Sequence, residues 1–191
     1  MHAAADWSAD AEALQRCCDD IARGDIVIVT MLFMEDHFLP VLPALRARRD
    51  HCDAMVCAMS AGEVMKLTRM GKFDMGSPAT GAMAFLKRLR GKTAHKSDEQ
   101  SVKSSAGAQQ MKMLRRLPKI LRFIPGTAQD VRAWFIAMQY WMGGSDENML
   151  NLVRHVVDRG AAGPRQVLRG LVKPQPPVDY PDVGVYHPRM Q

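Results

Sequence analysis

The stretch GDIVIVTMLFMEDHFLP, residues 24–40, decides the fold class. Its run DIVIVTMLF, residues 25–33, is apolar at nearly every position, so a strand built from it would be apolar on both faces. A strand with one face in water would alternate apolar and polar residues instead. The run therefore predicts a buried strand of a parallel sheet.

Helices and a second strand flank this run. Ser8 is placed to cap a helix that ends at Gly24. A further helix is predicted over residues 37–52, with two prolines near its first turn, where proline is tolerated. The segment DAMVCAMS, residues 53–60, is apolar enough to be a second buried strand.

A third helix is predicted after the second strand. Ser60 and Glu63 have the spacing of a capping box, and Gly71 is placed to end the helix. The order α-β-α-β-α predicts an α/β fold with a doubly wound, flavodoxin-like parallel sheet. Two parallel strands leave open edges and bury little surface, so we expect residues 1–75 to be an incomplete lobe that lacks its first strand–helix unit.

Residues 76–160 are predicted to be an all-helical region. The strongest pattern covers 127–142, where Thr127 and Asp130 have capping-box spacing and one face is apolar. That face is formed by Val131, Trp134, Phe135, Met138, Trp141 and Met142.

A second amphipathic helix follows a glycine pair and is predicted to run from Ser145 to Gly160, antiparallel to the first. Its apolar face is formed by Met149, Leu152, Val153, Val156 and Val157. The polar stretch near 92–106 is predicted to be a mobile loop. Residues 161–191 are rich in proline and are predicted to be an extended connection to a body of protein that is missing from this sequence.

Several classes of function are disfavoured. The four cysteines lack CxxC spacing and a nearby histidine pair, so we expect reduced packing thiols and no metal site. The GKT at residues 91–93 lacks the upstream glycine of a phosphate-binding loop, so the chain is not expected to bind ATP. No window is long and apolar enough to span a membrane, and we expect a cytoplasmic protein.

A polar cluster, Glu35-Asp36-His37, follows the first predicted strand. Open α/β sheets place their ligands at the carboxyl ends of their strands, so this position favours a ligand contact. Asp36 is equally suited to cap the helix that follows, and three adjacent residues on a turn point in different directions. The cluster is therefore either a helix cap or a ligand-edge site.

Residues 87–122 carry 11 basic and 2 acidic residues, in a chain of net charge +6. Basic side chains recur there at helical spacing: Lys112, Arg115, Arg116, Lys119 and Arg122. The opposite face of that helix is apolar and is formed by Met113, Leu114, Leu117, Ile120 and Leu121. The basic face is either a solvated surface or a docking site for an anionic partner. No aromatic residues interleave with the charges for base stacking, so nucleic acid is not an expected partner.

Three blocks resemble one family: SAGEVMKLTRMGKFDM (60–75), MLRRLPKILRFIPG (113–126) and AQDVRAWFIAMQYWMGGSDENM (128–149). In this order they are similar to the N-terminal region of the large, porphyrin-binding H subunit of magnesium chelatase, a relative of the cobalt chelatase large subunit. The tail YPDVGVYHP, residues 180–188, resembles the segment that leads into the central body of that subunit. The resemblance covers nearly the whole chain.

This resemblance implies a fragment of a subunit several times longer. The intact subunit would bind protoporphyrin IX and insert Mg²⁺ into it, in chlorophyll or bacteriochlorophyll biosynthesis, while the smaller I and D subunits hydrolyse ATP. Porphyrin carboxylates then become a further candidate for the basic face at Arg115, Arg116 and Lys119. No family catalytic residue falls on a position of this chain, so the fragment alone is expected to be inactive and to bind no cofactor.

Two other functions remain open. The first is the cobalt chelatase large subunit of corrin biosynthesis, which shares the later body of the subunit. The second is a non-enzymatic interaction lobe whose basic helix docks an acidic partner through Arg115, Arg116 and Lys119.

Overall fold

A computed structural model of the chain describes residues 1–77, 117–171 and 173–178. Its helices and strands are, in chain order, α1 Ala11–Arg23, β1 Ile26–Thr30, α2 Glu35–Phe38, α3 Leu42–Arg49, β2 Ala54–Ala58, α4 Gly62–Met65, β3 Arg69–Met70, β4 Phe73–Asp74, α5 Thr127–Gly143 and α6 Asp146–Gly160. Short 3-10 helices cover Ala4–Asp6 and Gly163–Leu168, and residues 117–121 are also helical. The second 3-10 helix interrupts the predicted extended connection, and the predicted loop near 92–106 lies outside the described residues.

The four strands form one mixed sheet in the order β1-β2-β3-β4. β1 and β2 are parallel, with Ile26 opposite Ala54 and Thr30 opposite Ala58. β3 and β4 form an antiparallel hairpin, and β3 also pairs antiparallel with β2. The predicted α/β class with parallel pairing is confirmed.

The helix predicted from Ser60 to Gly71 is wrong in its second half, because the hairpin occupies that part of the chain. Gly71 turns the hairpin with φ of +58°, a left-handed conformation that glycine adopts without steric cost. Met70 and Phe73 on either side of the turn are buried in the core. Their burial against the rest of the sheet outweighs the local preference for helix.

Two predicted helix caps are also wrong. α1 is capped by Asp10, whose Oδ1 accepts hydrogen bonds from the backbone N–H of Glu12 at 2.9 Å and of Ala13 at 3.1 Å, and not by Ser8. The Ser60 side chain does not cap α4, which begins after Ala61 without a side-chain cap. Each helix begins later than the sequence pattern indicates. The Ser8 side chain is therefore exposed, and the Ser60 hydroxyl donates to a backbone carbonyl instead.

The predicted capping pair at the start of α5 has a different role. α5 begins at Thr127 with Gly126 as its N-cap residue and no side-chain cap. The Oδ2 of Asp130 instead accepts a hydrogen bond from the backbone N–H of Lys72 at 2.8 Å. This contact ties α5 to the β3–β4 turn, where a Cβ on Gly71 would come within 2.7 Å of the Asp130 carboxylate.

Helices cover both faces of the sheet, as a doubly wound arrangement requires. One face packs against α5 and α6 in a core that includes Val56, Met70, Phe73, Trp134 and Val156. The other face packs mainly against α1, α3 and α4 in a core that includes Cys17, Leu45, Met55, Cys57 and Val64. β2 lies between the two layers and is buried over its whole length. The division of the chain near residue 76 stays a prediction.

β1 is less buried than predicted. Within the described residues it pairs only with β2, and Ile28 is 36% exposed on it, whereas Val29 is buried. The strand ends at Thr30 and not at Phe33, because Met31 adopts a left-handed φ of +62°. The apolar run thus contains a half-buried edge strand followed by an exposed apolar turn.

The predicted pair of helices is confirmed, with Gly144 at a left-handed φ of +64° ending α5. In the apolar stripe of α5, Val131, Trp134, Phe135 and Met138 are buried. The stripe of α6 is confirmed at Leu152 and Val156, but Val153 is 53% exposed.

The start of β2 is tied to the segment after α6 through Asp53. Its carboxylate accepts hydrogen bonds from Nε and Nη2 of Arg165, at 2.8 and 2.9 Å, and from the backbone N–H of Ala162 at 2.9 Å. The Arg165 hydrogen bonds hold the pKa of Asp53 below its usual value. A group with a lowered folded pKa stabilises the fold above its unfolded pKa, and that contribution is lost as the pH falls through the folded value.

Replacing Asp53 by asparagine is therefore expected to lower the free energy of unfolding at pH 7 by about 1 kcal/mol, a modest value because Arg165 is partly exposed. The difference from wild type should shrink as the pH is lowered below about 4. Urea unfolding at pH 7 and pH 3 measures both values. Asp6→Asn, at an exposed carboxylate, is the control and should change the free energy of unfolding at neither pH. A loss of stability in Asp53→Asn that stayed constant with pH would contradict the lowered pKa of Asp53.

Candidate functional site

The carboxyl ends of β1 and β2 carry two strained residues. Met31 and Met59 follow the strands directly and both have a positive φ, +62° and +45°. A left-handed backbone costs a non-glycine residue about 1 kcal/mol or more, and such residues concentrate at functional sites. The backbone N–H of Met31 donates to the carbonyl of Met59 at 3.0 Å, so the two strained residues are adjacent.

The loops after the two strands are joined by further hydrogen bonds. The backbone N–H of Leu32 donates to the Ser60 Oγ at 3.2 Å, and the Ser60 hydroxyl donates to the Ala58 carbonyl at 3.1 Å. The backbone N–H of Ala61 donates to the Leu32 carbonyl at 2.8 Å. This network fixes the edge at which open α/β sheets place their ligands.

The side chains at this edge are mainly large and apolar. We call them the methionine edge: Met31, Phe33, Met34, Leu39 and Met59, which are 37–58% exposed. Grouped exposed apolar side chains mark interaction surfaces. Methionine is common on such surfaces because its flexible thioether adapts to different partners.

The predicted polar cluster lies at the same edge. Glu35, Asp36 and His37 are the first three residues of α2, a single turn of helix, and both acids are exposed. The capping interpretation is wrong, because α2 begins after Met34 without a side-chain cap. Among the described residues no three His, Cys, Asp or Glu side chains are grouped so as to hold a metal ion. A ligand contact at Glu35, Asp36 or His37 stays a prediction.

The predicted basic face is only partly within the described chain. Arg115 and Arg116 lie outside it, whereas Lys119 and Arg122 are exposed. On the predicted apolar side of this helix, Leu117 and Leu121 are buried, but Ile120 is 48% exposed. The amphipathic interpretation is therefore confirmed at four of these positions and wrong at Ile120.

Lys119 and Arg122 line a cleft of about 550 Å³, which we call the cationic cleft. One wall also carries Phe123; α5 contributes Arg132 and Ile136, which are one helical turn apart. Pro177 closes a further side. The cleft is open to solvent, because Lys119, Arg122 and Phe123 are all exposed.

Arg132 is the most enclosed cation of the cleft. Its Nε donates to the Pro118 carbonyl at 3.0 Å, which fixes the guanidinium beside the 117–121 segment. Burial lowers the pKa of Arg132, and the charges of Arg159 and Arg122 lower it further. In the described part of the chain no carboxylate pairs with the cations that line the cleft.

Polar side chains of α5 and α6 hold the segment 173–178. Nδ2 of Asn148 donates to the Val178 carbonyl at 3.0 Å, and its Oδ1 accepts from the Val178 N–H at 2.9 Å. Oδ1 of Asn151 accepts from the Gln175 N–H at 3.0 Å, and the Tyr140 hydroxyl donates to the Gln175 carbonyl. We call these three side chains the tail clamp; it holds Pro177 in the wall of the cleft.

Sequence reasoning missed the tail clamp, although a signal was present. Asn148, Asn151 and His155 share one face of α6 with Leu152 and Val156 and are all buried. Buried polar groups require hydrogen-bond partners, so polar residues on an apolar stripe predict a specific contact. For His155 that contact joins Nε2 to the Ala133 carbonyl at 2.9 Å.

The cysteines are packing thiols, as predicted. All four are free, and Cys17, Cys52 and Cys57 are buried. Burial raises the pKa of Cys17 to about 11 and that of Cys57 to about 12, so these thiols stay protonated at neutral pH.

The fold and its two surfaces define an α/β lobe with an apolar edge and a separate cationic cleft. Residues 1–135 match the family model described as Domain of unknown function (DUF3479), and the chain belongs to that family. No helix in the described ranges is long and apolar enough to cross a membrane.

Curated relatives confirm the resemblance to the H subunits of magnesium chelatases. The chain is 47% identical over 190 residues to the magnesium-chelatase H subunit of Cereibacter sphaeroides and 43% identical over 190 residues to that of Rhodobacter capsulatus. Each match covers all of this chain and 15% of the relative, and corresponds to its N-terminal part. The chloroplastic magnesium-chelatase protein ChlH of Oryza sativa subsp. japonica is 31% identical over 183 residues, which are 94% of this chain and 12% of the relative.

Proposed function

We propose that the chain works as the N-terminal lobe of a magnesium chelatase H subunit. The whole assembly would insert Mg²⁺ into protoporphyrin IX while I and D subunits hydrolyse ATP in the cytoplasm. The observation that supports this most strongly is 47% identity along the whole chain to a magnesium-chelatase H subunit. The relatives from Cereibacter, Rhodobacter and Oryza are all magnesium chelatase subunits, which favours magnesium over cobalt chelation.

We assign the lobe no catalytic residue and no resident cofactor, and we treat Mg²⁺ and protoporphyrin as substrates of the assembly. The described residues offer no metal-ligand group of three, and the buried thiols are protonated at neutral pH. The two surfaces that remain are suited to contact: the methionine edge and the cationic cleft. We propose that the lobe supports chelation by contact through these two surfaces.

A chimera tests this proposal. The matched N-terminal region of the Cereibacter sphaeroides H subunit is replaced by this chain, and the product is mixed with I and D subunits, protoporphyrin IX, Mg²⁺ and ATP. We expect the chimera to form magnesium porphyrin, detected by its fluorescence, and the 191-residue chain alone to form none.

The H subunit without its N-terminal region is the control for the chimera. A chimera that folds but is no more active than this truncated protein would contradict the proposal. Metallation by the 191-residue chain alone would contradict the assignment of the chemistry to the rest of the subunit.

The methionine edge favours a second candidate function, a non-enzymatic interaction lobe. Comparing the chimera with the H subunit that lacks its N-terminal region separates the two functions. Loss of affinity for the I and D subunits on deletion of the lobe, with unchanged porphyrin affinity, would favour the interaction lobe. Loss of porphyrin affinity would favour the first proposal.

A further inference from the structure

The methionine edge groups apolar side chains from three parts of the chain. They come from the turn after β1, from the residues that flank α2, and from the turn after β2. The hydrogen bond from the Met31 N–H to the Met59 carbonyl holds the two turns side by side. Exposed apolar side chains that are grouped in this way mark an interaction surface.

The open side of β1 adds a second unprotected feature beside this edge. The Met31 N–H donates to the Ala58 carbonyl of β2, and backbone groups of successive strand residues point to opposite sides, so those of Ile26, Ile28 and Thr30 face away from β2. Among the described residues no strand pairs with this side. β1 contains no charge and no proline, the residues with which natural edge strands prevent pairing.

These two features favour a permanent occupant over a partner that dissociates. A dissociating partner would leave an apolar surface and an open strand edge in water, and such edges promote aggregation. A part of the same polypeptide would cover both as soon as it folded. The matched region is only 15% of the H subunits of Cereibacter sphaeroides and Rhodobacter capsulatus, so most of such a subunit is available to provide the occupant.

The described chain also ends at this end of the sheet. α5 runs toward the carboxyl end of β2, because Asp130 contacts the β3–β4 turn beside the start of β2 and Trp134 contacts Cys57. α6 is antiparallel to α5, and its last residue lies against the start of β2. Asn148, near the start of α6, therefore lies toward the carboxyl ends of the strands, and it holds Val178 there.

We propose that the methionine edge is covered by an apolar segment of the same H subunit, from the part that lies outside this chain. The proposal rests on the proposed function, because it takes the chain as a lobe of that subunit. Apolar side chains of the segment contact Met31, Phe33 and Met34. Basic side chains beside them face Glu35 and Asp36, which are exposed at the same edge, and this charge complementarity fixes the orientation of the contact.

The test compares methionine oxidation in the 191-residue chain and in the chimera, without porphyrin and without the I and D subunits. Hydrogen peroxide converts exposed methionines to the sulfoxide, and mass spectrometry of peptides follows each residue, so no substitution is needed. Met31, Met34 and Met59 should be oxidised at least about tenfold more slowly in the chimera, which corresponds to about 1.4 kcal/mol of protection. The buried Met55 and Met70 should react slowly in both proteins.

Val153→Met is the matched control, because Val153 on α6 is 53% exposed, close to the 58% of Met34. A methionine there should be oxidised in the two proteins at rates that differ less than about twofold, or about 0.4 kcal/mol. Equal oxidation of Met31 and Met34 in the chain and in the chimera, or equal slowing at residue 153, would overturn the proposal. Protection that appears only after the I and D subunits are added would overturn it as well, and would assign the surface to a partner subunit.

Failure here is distinguishable from failure of the proposed function. If the chimera formed magnesium porphyrin while its Met31 and Met34 were oxidised as fast as in the 191-residue chain, the contact proposal would be wrong and the proposed function would stand. A folded but inactive chimera with protected Met31 and Met34 would give the opposite result.

Discussion

Replacing Trp134 by alanine is expected to lower the free energy of unfolding by about 3–5 kcal/mol, as for other buried aromatic residues. Trp134 is 8% exposed and lies between α5 and the sheet, with ring centroids 6.0 Å from Phe73 and 4.9 Å from Phe135. Its Nε1 donates to the Cys57 carbonyl at 3.1 Å. The alanine variant loses this hydrogen bond and leaves a cavity at the centre of one core. Urea unfolding followed by circular dichroism measures the loss.

A pair of tryptophan-to-phenylalanine variants provides the control. Trp134→Phe removes a hydrogen bond and part of a buried ring, and should cost about 1–2 kcal/mol. The Nε1 of Trp7 is buried and has no hydrogen-bond partner among the described residues, so Trp7→Phe removes an unsatisfied donor and should cost about 0.5 kcal/mol or less. A loss for Trp7→Phe as large as that for Trp134→Phe would show that ring volume and not the hydrogen bond decides both values.

The elements that sequence predicted well are those with dense apolar patterns. β2 is buried at five successive positions, and α5 buries the predicted stripe around Trp134. The β3–β4 hairpin was missed because its residues also fit a helix that begins with a capping box. Its conformation depends on Asp130, which holds the turn from a position 58 residues further along the chain. No local pattern reports a contact of that range.

The candidate sites were only partly predictable, for a related reason. The sequence pattern does not predict that the methionine edge is exposed, because Met31 and Phe33 continue the apolar run of a strand. These side chains point outward because Met31 has a left-handed backbone conformation and Phe33 lies beyond the end of the strand. The cleft was signalled by Lys119 and Arg122, but Arg132 and Pro177 join them through folding. The helical spacing of the basic residues therefore indicated a positively charged surface, but it did not indicate that this surface lines a cleft.

The second large effect is expected at Gly143, the last residue of α5. A Cβ there would lie 2.3 Å from the Asn148 Nδ2 and 3.2 Å from the Val178 carbonyl oxygen. Asn148 cannot move aside without losing both of its hydrogen bonds to Val178. Gly143→Ala should therefore release the tail clamp and lower the free energy of unfolding by about 2 kcal/mol, the cost of leaving a buried amide unsatisfied. Hydrogen exchange should accelerate at Gln175 and Val178, whose N–H groups the clamp protects.

Gly62→Ala is the matched control, because Gly62 begins α4 and nothing lies within 4 Å of a Cβ built on it. Since alanine reduces the entropy of the unfolded chain and favours helix, this variant should gain about 0.5–1 kcal/mol. The same substitution in two helices is thus expected to change stability in opposite directions. A stabilised Gly143→Ala variant with unchanged exchange at Val178 would show that the clamp does not hold the tail.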